Sequence, residues 1–260
     1  MSQNLVEKVI KIATSTQVWT SIFRRKHDET SRSNVLATVG SFFMHMHPIA
    51  VSRRALALNY TWCMGGITFF LFLFLTAGGV LLMFYYHPNV HDAYWDVKDL
   101  HSSVPFGKVL RNTHRWGAHL MVITVMVHMM RVFFTGSYKK PREFNWALGV
   151  HLLLFTWLLS FTGYLLTWDQ LGMWAITVGT NMARATPILG HEGPFGEQFG
   201  ITAYNDVRFA LLGGSVVGAN ALIRAYIWHC IAIPLVVTFM IGVHFWRVRK
   251  DGFSGRMKSL

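Results

Sequence analysis

Arg111-Asn112-Thr113-His114-Arg115-Trp116, continued by an apolar run to His128-Met129-Met130-Arg131, is the stretch whose reading decides the fold. Its two histidines stand fourteen residues apart, with an arginine near each end. On a helix rising about 1.5 Å per residue they lie about 21 Å apart, and both rings point the same way within about 40°. His229 and His244, fifteen residues apart, repeat the arrangement, with Arg224 before them and Arg247 after. Two such helices facing each other would clamp two flat, metal-centred cofactors at two depths. Imidazole is a common iron ligand, and facing helices are a known place for such groups.

The totals point to a membrane. Of 260 residues, 52% are hydrophobic and 14% charged, and the mean hydropathy is +0.34. Several apolar runs are long enough to cross a bilayer. The net charge of +12 does not imply nucleic acid, because the basic residues flank apolar segments as topology signals do. The two cysteines, Cys63 and Cys230, form neither a disulfide framework nor a C-x-x-C-H haem attachment site. No cleavable signal peptide is expected, since the first apolar run lies far from residue 1.

Four spans are expected, at about Tyr60–Tyr86, Val109–Phe134, Trp146–Leu166 and Tyr226–Val248. Each holds roughly 20 or more mainly apolar residues, enough for a hydrocarbon core of about 30 Å. Residues 1–56 read as an N-terminal segment. Residues 1–30 open it as an amphipathic surface helix (Leu5, Val6, Val9, Ile10 and Ile12 mixed with Lys8 and Lys11, then Val18, Trp19, Ile22 and Phe23 before Arg24, Arg25 and Lys26), and 31–56 continue it as a basic interfacial stretch. Residues 57–255 form the four-helix domain and 256–260 a tail. Between spans, 87–108 read as a polar loop and 135–145 as a tight basic turn. Residues 167–223 carry two apolar pieces, Leu171–Met182 and Phe209–Val217, too short or broken to span.

Charge sets the orientation. Residues 1–58, 135–144 and 247–260 hold eight, three and five Lys or Arg, whereas the two other connections hold two each, against seven acidic residues. Both termini are therefore expected on the cytoplasmic side. His114 then pairs with His229 near the outer face, and His128 with His244 near the inner face.

Ionisable groups deep in a span are costly and usually functional. A single such histidine is readily explained as a buried, hydrogen-bonded polar residue, as His119 and His151 are expected to be. Four at matched depths are not. Gly65 and Gly79 on the first span, and Gly149 and Gly163 on the third, recur at the same spacing of fourteen. Small residues there let a flat macrocycle approach the backbone, although helix–helix packing also uses them. Arg111, Arg115, Arg131, Arg224 and Arg247 suit haem propionates, or serve as snorkelling anchors.

Further stretches carry a resemblance: Asn59–Thr68 (NYTWCMGGIT), His114-Arg115-Trp116, Thr135–Glu143 (TGSYKKPRE) and Thr162–Gln170 (TGYLLTWDQ). With the histidine spacings of 14 and 15, they resemble the cytochrome b family of quinol oxidoreductases, in the short split form typified by cytochrome b6. The resemblance implies two haem b groups and a subunit of a quinol–cytochrome c oxidoreductase. Electrons would pass from an outer quinol-oxidation site to an inner quinone-reduction site and add to the proton gradient. It further implies a third, c-type haem on Cys63, beside an inner quinone site lined by Arg249 and Lys250. Trp168, Asp169, Gln170 and Trp174 would be this chain's share of the outer quinol site. The rest would come from a separate subunit carrying the C-terminal half of cytochrome b. A Rieske iron–sulfur protein and a c-type cytochrome would accept electrons, in a dimeric complex.

Thr167 replaces the family's usual proline, residues around 190–205 look like an insertion, and the N-terminus is extended by about thirty residues. These departures imply a non-photosynthetic bacterial relative, placed in the inner membrane. Two rival readings are a haem b anchor of a formate dehydrogenase or hydrogenase, and a transporter or structural bundle with histidines as polar glue. The anchor would lack Cys63, the paired glycines and Thr162–Gln170; the bundle would show no haem spectrum.

Overall fold

The computed structural model describes residues 2–16, 19 and 61–252. Residues 20–30 of the expected amphipathic helix, the interfacial stretch 31–56 and the tail 256–260 lie outside the described residues. Among those described, every regular element is helical. They are α1 (Ser2–Ser15), α2 (Met64–Met83), α3 (Ala93–Ser102), α4 (Gly107–Phe134), α5 (Glu143–Leu165), α6 (Gln170–Ala183), α7 (Val207–Leu212) and α8 (Ala219–Asp251), which contains a π turn at Trp228–Ala232.

Four of these, α2, α4, α5 and α8, have 20, 28, 23 and 33 residues and are long and apolar enough to cross a membrane. Even the shortest reaches about 30 Å at 1.5 Å per residue. Their apolar side chains point outward. On α2 only Leu71 and Phe72 are buried, while Phe70 is 64% exposed. A helix apolar all round, with its large side chains outward, is at home in lipid. The expected spans are therefore present, with shifted ends: α8 starts seven residues before Tyr226 and α4 two before Val109.

The contacts divide the chain into two compact units, one of Met1–Ile67, Thr124–Leu154 and Thr238–Leu260, the other of Thr68–Ile123 and Phe155–Val237. In the second, Leu165, Ile176, Leu212, Ala221 and Ala225 form one core cluster, and Ala93, Trp168 and Leu222 another. Leu212 and Leu222 are fully buried, each stabilising by about 1.5–3 kcal/mol. The piece Leu171–Met182 thus lies in α6, while Phe209–Val217 straddles the end of α7 and the turn after it, and both pack on this core.

The connection 87–108 differs from a plain polar loop, because it contains α3. Asn89 Oδ1 accepts the backbone N–H groups of His91 (2.8 Å) and Asp92 (3.1 Å), an Asx turn that starts the helix. Ala93 and Leu100, seven apart, bury its inner face.

The long connection 167–223 is held by charge. Asp206, 1% exposed, caps α7 by accepting the Phe209 N–H at 2.7 Å. Its other oxygen takes His191 Nδ1–H at 2.5 Å, and Arg184 pairs with Glu192 at 3.2 Å. Burial would raise the Asp206 carboxyl, but the Phe209 N–H, His191 and the nearby Arg184 outweigh it and hold it below its ordinary value. A carboxyl held low contributes its stability above its unfolded value and loses it as pH falls. Amide-exchange protection between 184 and 206, corrected for the intrinsic exchange rate, is therefore expected to hold from neutral pH and to fall in acid as Asp206 is protonated. A flat profile down to pH 2 would contradict this tie.

Candidate functional site

The histidines meet the glycines. In the second unit, a Cβ at Gly79 would lie 3.3 Å from Cε1 of His114 on α4. One at Gly163 on α5 would lie 2.9 Å from Nδ1 and 3.0 Å from Nε2 of His229, and nearer still to Cε1. In the first unit, a Cβ at Gly65 would stand 3.3 Å from Cε1 of His128, and one at Gly149 would stand 3.9 Å from Cε1 of His244. The spacing shared by histidines and glycines is thus a face-to-face arrangement. At Gly163 the ring leaves no room for a Cβ, at Gly65 and Gly79 the fit is tight, and at Gly149 it is an ordinary contact.

The rings of His114 and His229 have centroids 6.3 Å apart and planes at 76°. An imidazole nitrogen lies about 1.1 Å from its ring centre and about 2 Å from a metal it binds, so two opposed ligands have centres about 6.2 Å apart. The observed separation matches that requirement. His229 Nδ1 donates to the Leu159 carbonyl at 3.0 Å, with Thr162 Oγ1 at 3.4 Å. A carbonyl only accepts, so the proton is on Nδ1 and Nε2 is the free lone pair, the form a metal requires. In the first unit, His244 Nδ1 is buried without a hydrogen-bond partner among the described residues. Those residues contain no group of three His, Cys, Asp or Glu that could hold a metal ion. Paired imidazoles with glycine clearance suit a macrocycle that brings its own equatorial ligands.

The arginines divide. Arg111, one turn before His114, lines a cleft of about 530 Å³ with Tyr94, Trp95, Lys98 and His101 of α3, and with Thr167 and Asp169. Arg115 is exposed and Arg131 half-buried. Arg224 reaches the Ala210 carbonyl, lying over Gly213. Arg247 is fully buried, pairing with Asp251 at 3.0 Å and lying over the Phe144 ring at 5.2 Å. Arg249 is half-buried, and Lys250 lies over the Trp246 ring at 4.8 Å.

The residues of the expected outer quinol site are not all together. Trp168 turns inward, 8% exposed and with φ +44°, into the cluster with Ala93 and Leu222. Asp169 caps α6 through the Gly172 N–H at 2.8 Å while lining the cleft. Gln170 and Trp174 face outward. Cys63 is exposed just before α2, with φ +51° after Trp62 at +52°. A Cβ at Gly66 would lie 2.9 Å from its Sγ, so this glycine also clears space. His151 bonds its own helix through the Ala147 carbonyl, 2.8 Å away, as a structural histidine does.

Sequence reasoning missed α3 with its Lys98 and His101, the Leu159 and Thr162 partners of His229, and the Asp251 partner of Arg247. The only available signal for α3 was the Ala93–Leu100 pair at a spacing of seven, diluted by Asp96, Lys98 and Asp99.

Residues 51–252 match the family described as Cytochrome b/b6/petB. The cytochrome b6 of Euglena gracilis is 39% identical over 199 residues, 76% of this chain and 86% of that protein. That of Gracilaria tenuistipitata var. liui is 38% identical over 198 residues, with the same coverage. Among solved structures, a hyperthermophilic respiratory Complex III aligns with TM-score 0.65 and 26% identity over 85% of this chain, which spans 54% of that one. With four membrane-crossing helices and paired histidines facing glycines, the chain belongs to the cytochrome b family of haem-binding, electron-transport membrane proteins.

Proposed function

We propose that the chain is the dihaem cytochrome b subunit of a quinol–cytochrome c oxidoreductase of the bc or bf type. His114 and His229 would hold one haem b, and His128 and His244 the other. The observation that carries this reading is the repeated facing of histidine and glycine, with the His114 and His229 rings set 6.3 Å apart. When bound, the haems supply reversible one-electron transfer between an outer quinol-oxidation site and an inner quinone-reduction site.

The chain's own residues hold and orient. The Leu159 carbonyl keeps His229 in its ligating tautomer. Gly65, Gly79, Gly149 and Gly163 leave room for the rings and the macrocycles. Arg111 and Arg115 suit the propionates at one end, with Arg131 at the other, because guanidinium binds carboxylate in a fork. Arg224 joins them only by giving up the Ala210 carbonyl. Cys63 would anchor a third, c-type haem, with Arg249 and Lys250 at the adjoining inner quinone site; its exposed thiol beside Gly66 supports this. Asp169 in the cleft, with Trp168, Gln170 and Trp174 around it, would be this chain's part of the outer site.

The partners proposed are those of a bc- or bf-type complex. The likeness to cytochrome b6 supports a separate subunit carrying the C-terminal half of cytochrome b. A Rieske protein and a c-type cytochrome would complete a dimeric assembly. Positive charge on 1–58, 135–144 and 247–260 supports both termini being cytoplasmic, in a bacterial inner membrane. The apolar side of α1 would lie on that surface, since Leu5, Val6, Val9, Ile10 and Ile12 are all exposed.

The test is spectroscopic. The purified protein should give a reduced-minus-oxidised haem b spectrum with two haems b per chain; no such spectrum ends this reading. The denatured chain should stain for covalent haem, and Cys63→Ser should abolish the stain. An unstained wild type removes the third haem alone, and a stained variant moves its anchor elsewhere.

A further inference from the structure

We infer that Tyr86 is a positioning residue for the His114/His229 haem, acting through the end of α5; this rests on the dihaem reading above. Tyr86 lies three residues beyond α2, and its hydroxyl donates to the Leu166 carbonyl at 2.7 Å. Its ring stacks on Tyr226 of α8, with centroids 5.9 Å apart and planes at 19°. Tyr226 is three residues before His229, on the same side of the helix. Tyr86 thus joins the continuation of α2 to the end of α5 and to the ligand-bearing face of α8.

The register explains why this matters. The last two turns of α5 run antiparallel to the start of α8. Leu159, Thr162 and Gly163 meet His229, while Leu165 packs with Ala221 and Ala225. The Leu166 carbonyl, held by Tyr86, closes this zipper. Clearance between Gly163 and the His229 ring is already minimal, so a slide of α5 by a few tenths of an ångström must press on the ring. The same slide changes the length of the Nδ1–H bond to Leu159, which sets how much electron density the imidazole gives its metal.

Tyr86→Phe removes the hydroxyl and keeps the stacking ring. In the assembled complex, redox titration with low-temperature electron paramagnetic resonance reads both b haems separately. The His114/His229 haem is identified as the one lost in a His229→Leu complex. The expected result is full haem content, a shifted midpoint potential and low-field g value for that haem, and an unshifted His128/His244 haem. Tyr138→Phe, in the other unit, should move neither. If Tyr86→Phe leaves the first haem's potential and g value unchanged, or moves both haems equally, Tyr86 does not position this site. If wild type shows no pair of b haems, the dihaem reading has failed instead.

Discussion

His229→Leu should leave a complex with one haem b instead of two, and quinol–cytochrome c turnover should fall by more than about a hundredfold. Removing an outer-shell partner of a metal ligand already costs about 10–100-fold in affinity or activity, and here the ligand itself goes. The half-buried His114 ring would then face leucine where an imidazole had stood with its centre 6.3 Å away. The remaining haem should keep its own spectrum, because His128 and His244 lie in the other contact unit with their own glycines. His244→Leu should give the mirror result. Pyridine haemochrome content and the α-band of each variant would decide. A variant retaining both haems would mean that His229 is not a ligand.

The second large effect should come from a single methyl group. Gly163→Ala places its Cβ 2.9 Å from Nδ1 and 3.0 Å from Nε2 of His229, closer than carbon approaches nitrogen without a bond. Either the ring turns or α5 backs away, and both break the 3.0 Å bond to Leu159. We expect haem b to drop from two toward one per chain, almost as for loss of the ligand. Gly172→Ala on α6, outside the haem sites, is the control, because its Cβ meets the Tyr164 carbonyl at 3.4 Å, Asp169 Oδ1 at 3.5 Å and Thr167 Oγ1 at 3.6 Å, ordinary contact distances. That variant should keep both haems. Equal losses from the two substitutions would show that the glycines serve helix packing in general, rather than ring clearance.

Much of this was legible in the sequence, for definite physical reasons. A bilayer demands about 20 apolar residues, so α2, α4, α5 and α8 announced themselves. The pairing of His114 with His229 was legible because both depth and facing follow from helical periodicity, and the glycines repeat at the same period. What periodicity cannot show is which partner a charged side chain selects. Arg224 and Arg247 looked alike as propionate ligands, yet one folds back on the Ala210 carbonyl and the other is buried against Asp251. Trp168 and Trp174 looked like neighbours in one site. A left-handed backbone at Trp168 sends the first into the core, while the second, on α6, stays outside.

The π turn at Trp228–Ala232 has a consequence for length. Pro234 offers no N–H to the Cys230 carbonyl, and the Ile233 N–H bonds Trp228, five residues back. One residue is thereby taken up without advancing the helix by its usual 100°. Fifteen residues from His229 to His244 then sweep the same angle as the fourteen from His114 to His128. The two histidine pairs stay in phase although one spacing is a residue longer. Deleting Ile231 while replacing Pro234 by alanine should restore a plain helix with fourteen between its histidines, a change in count that leaves the facing of the rings intact.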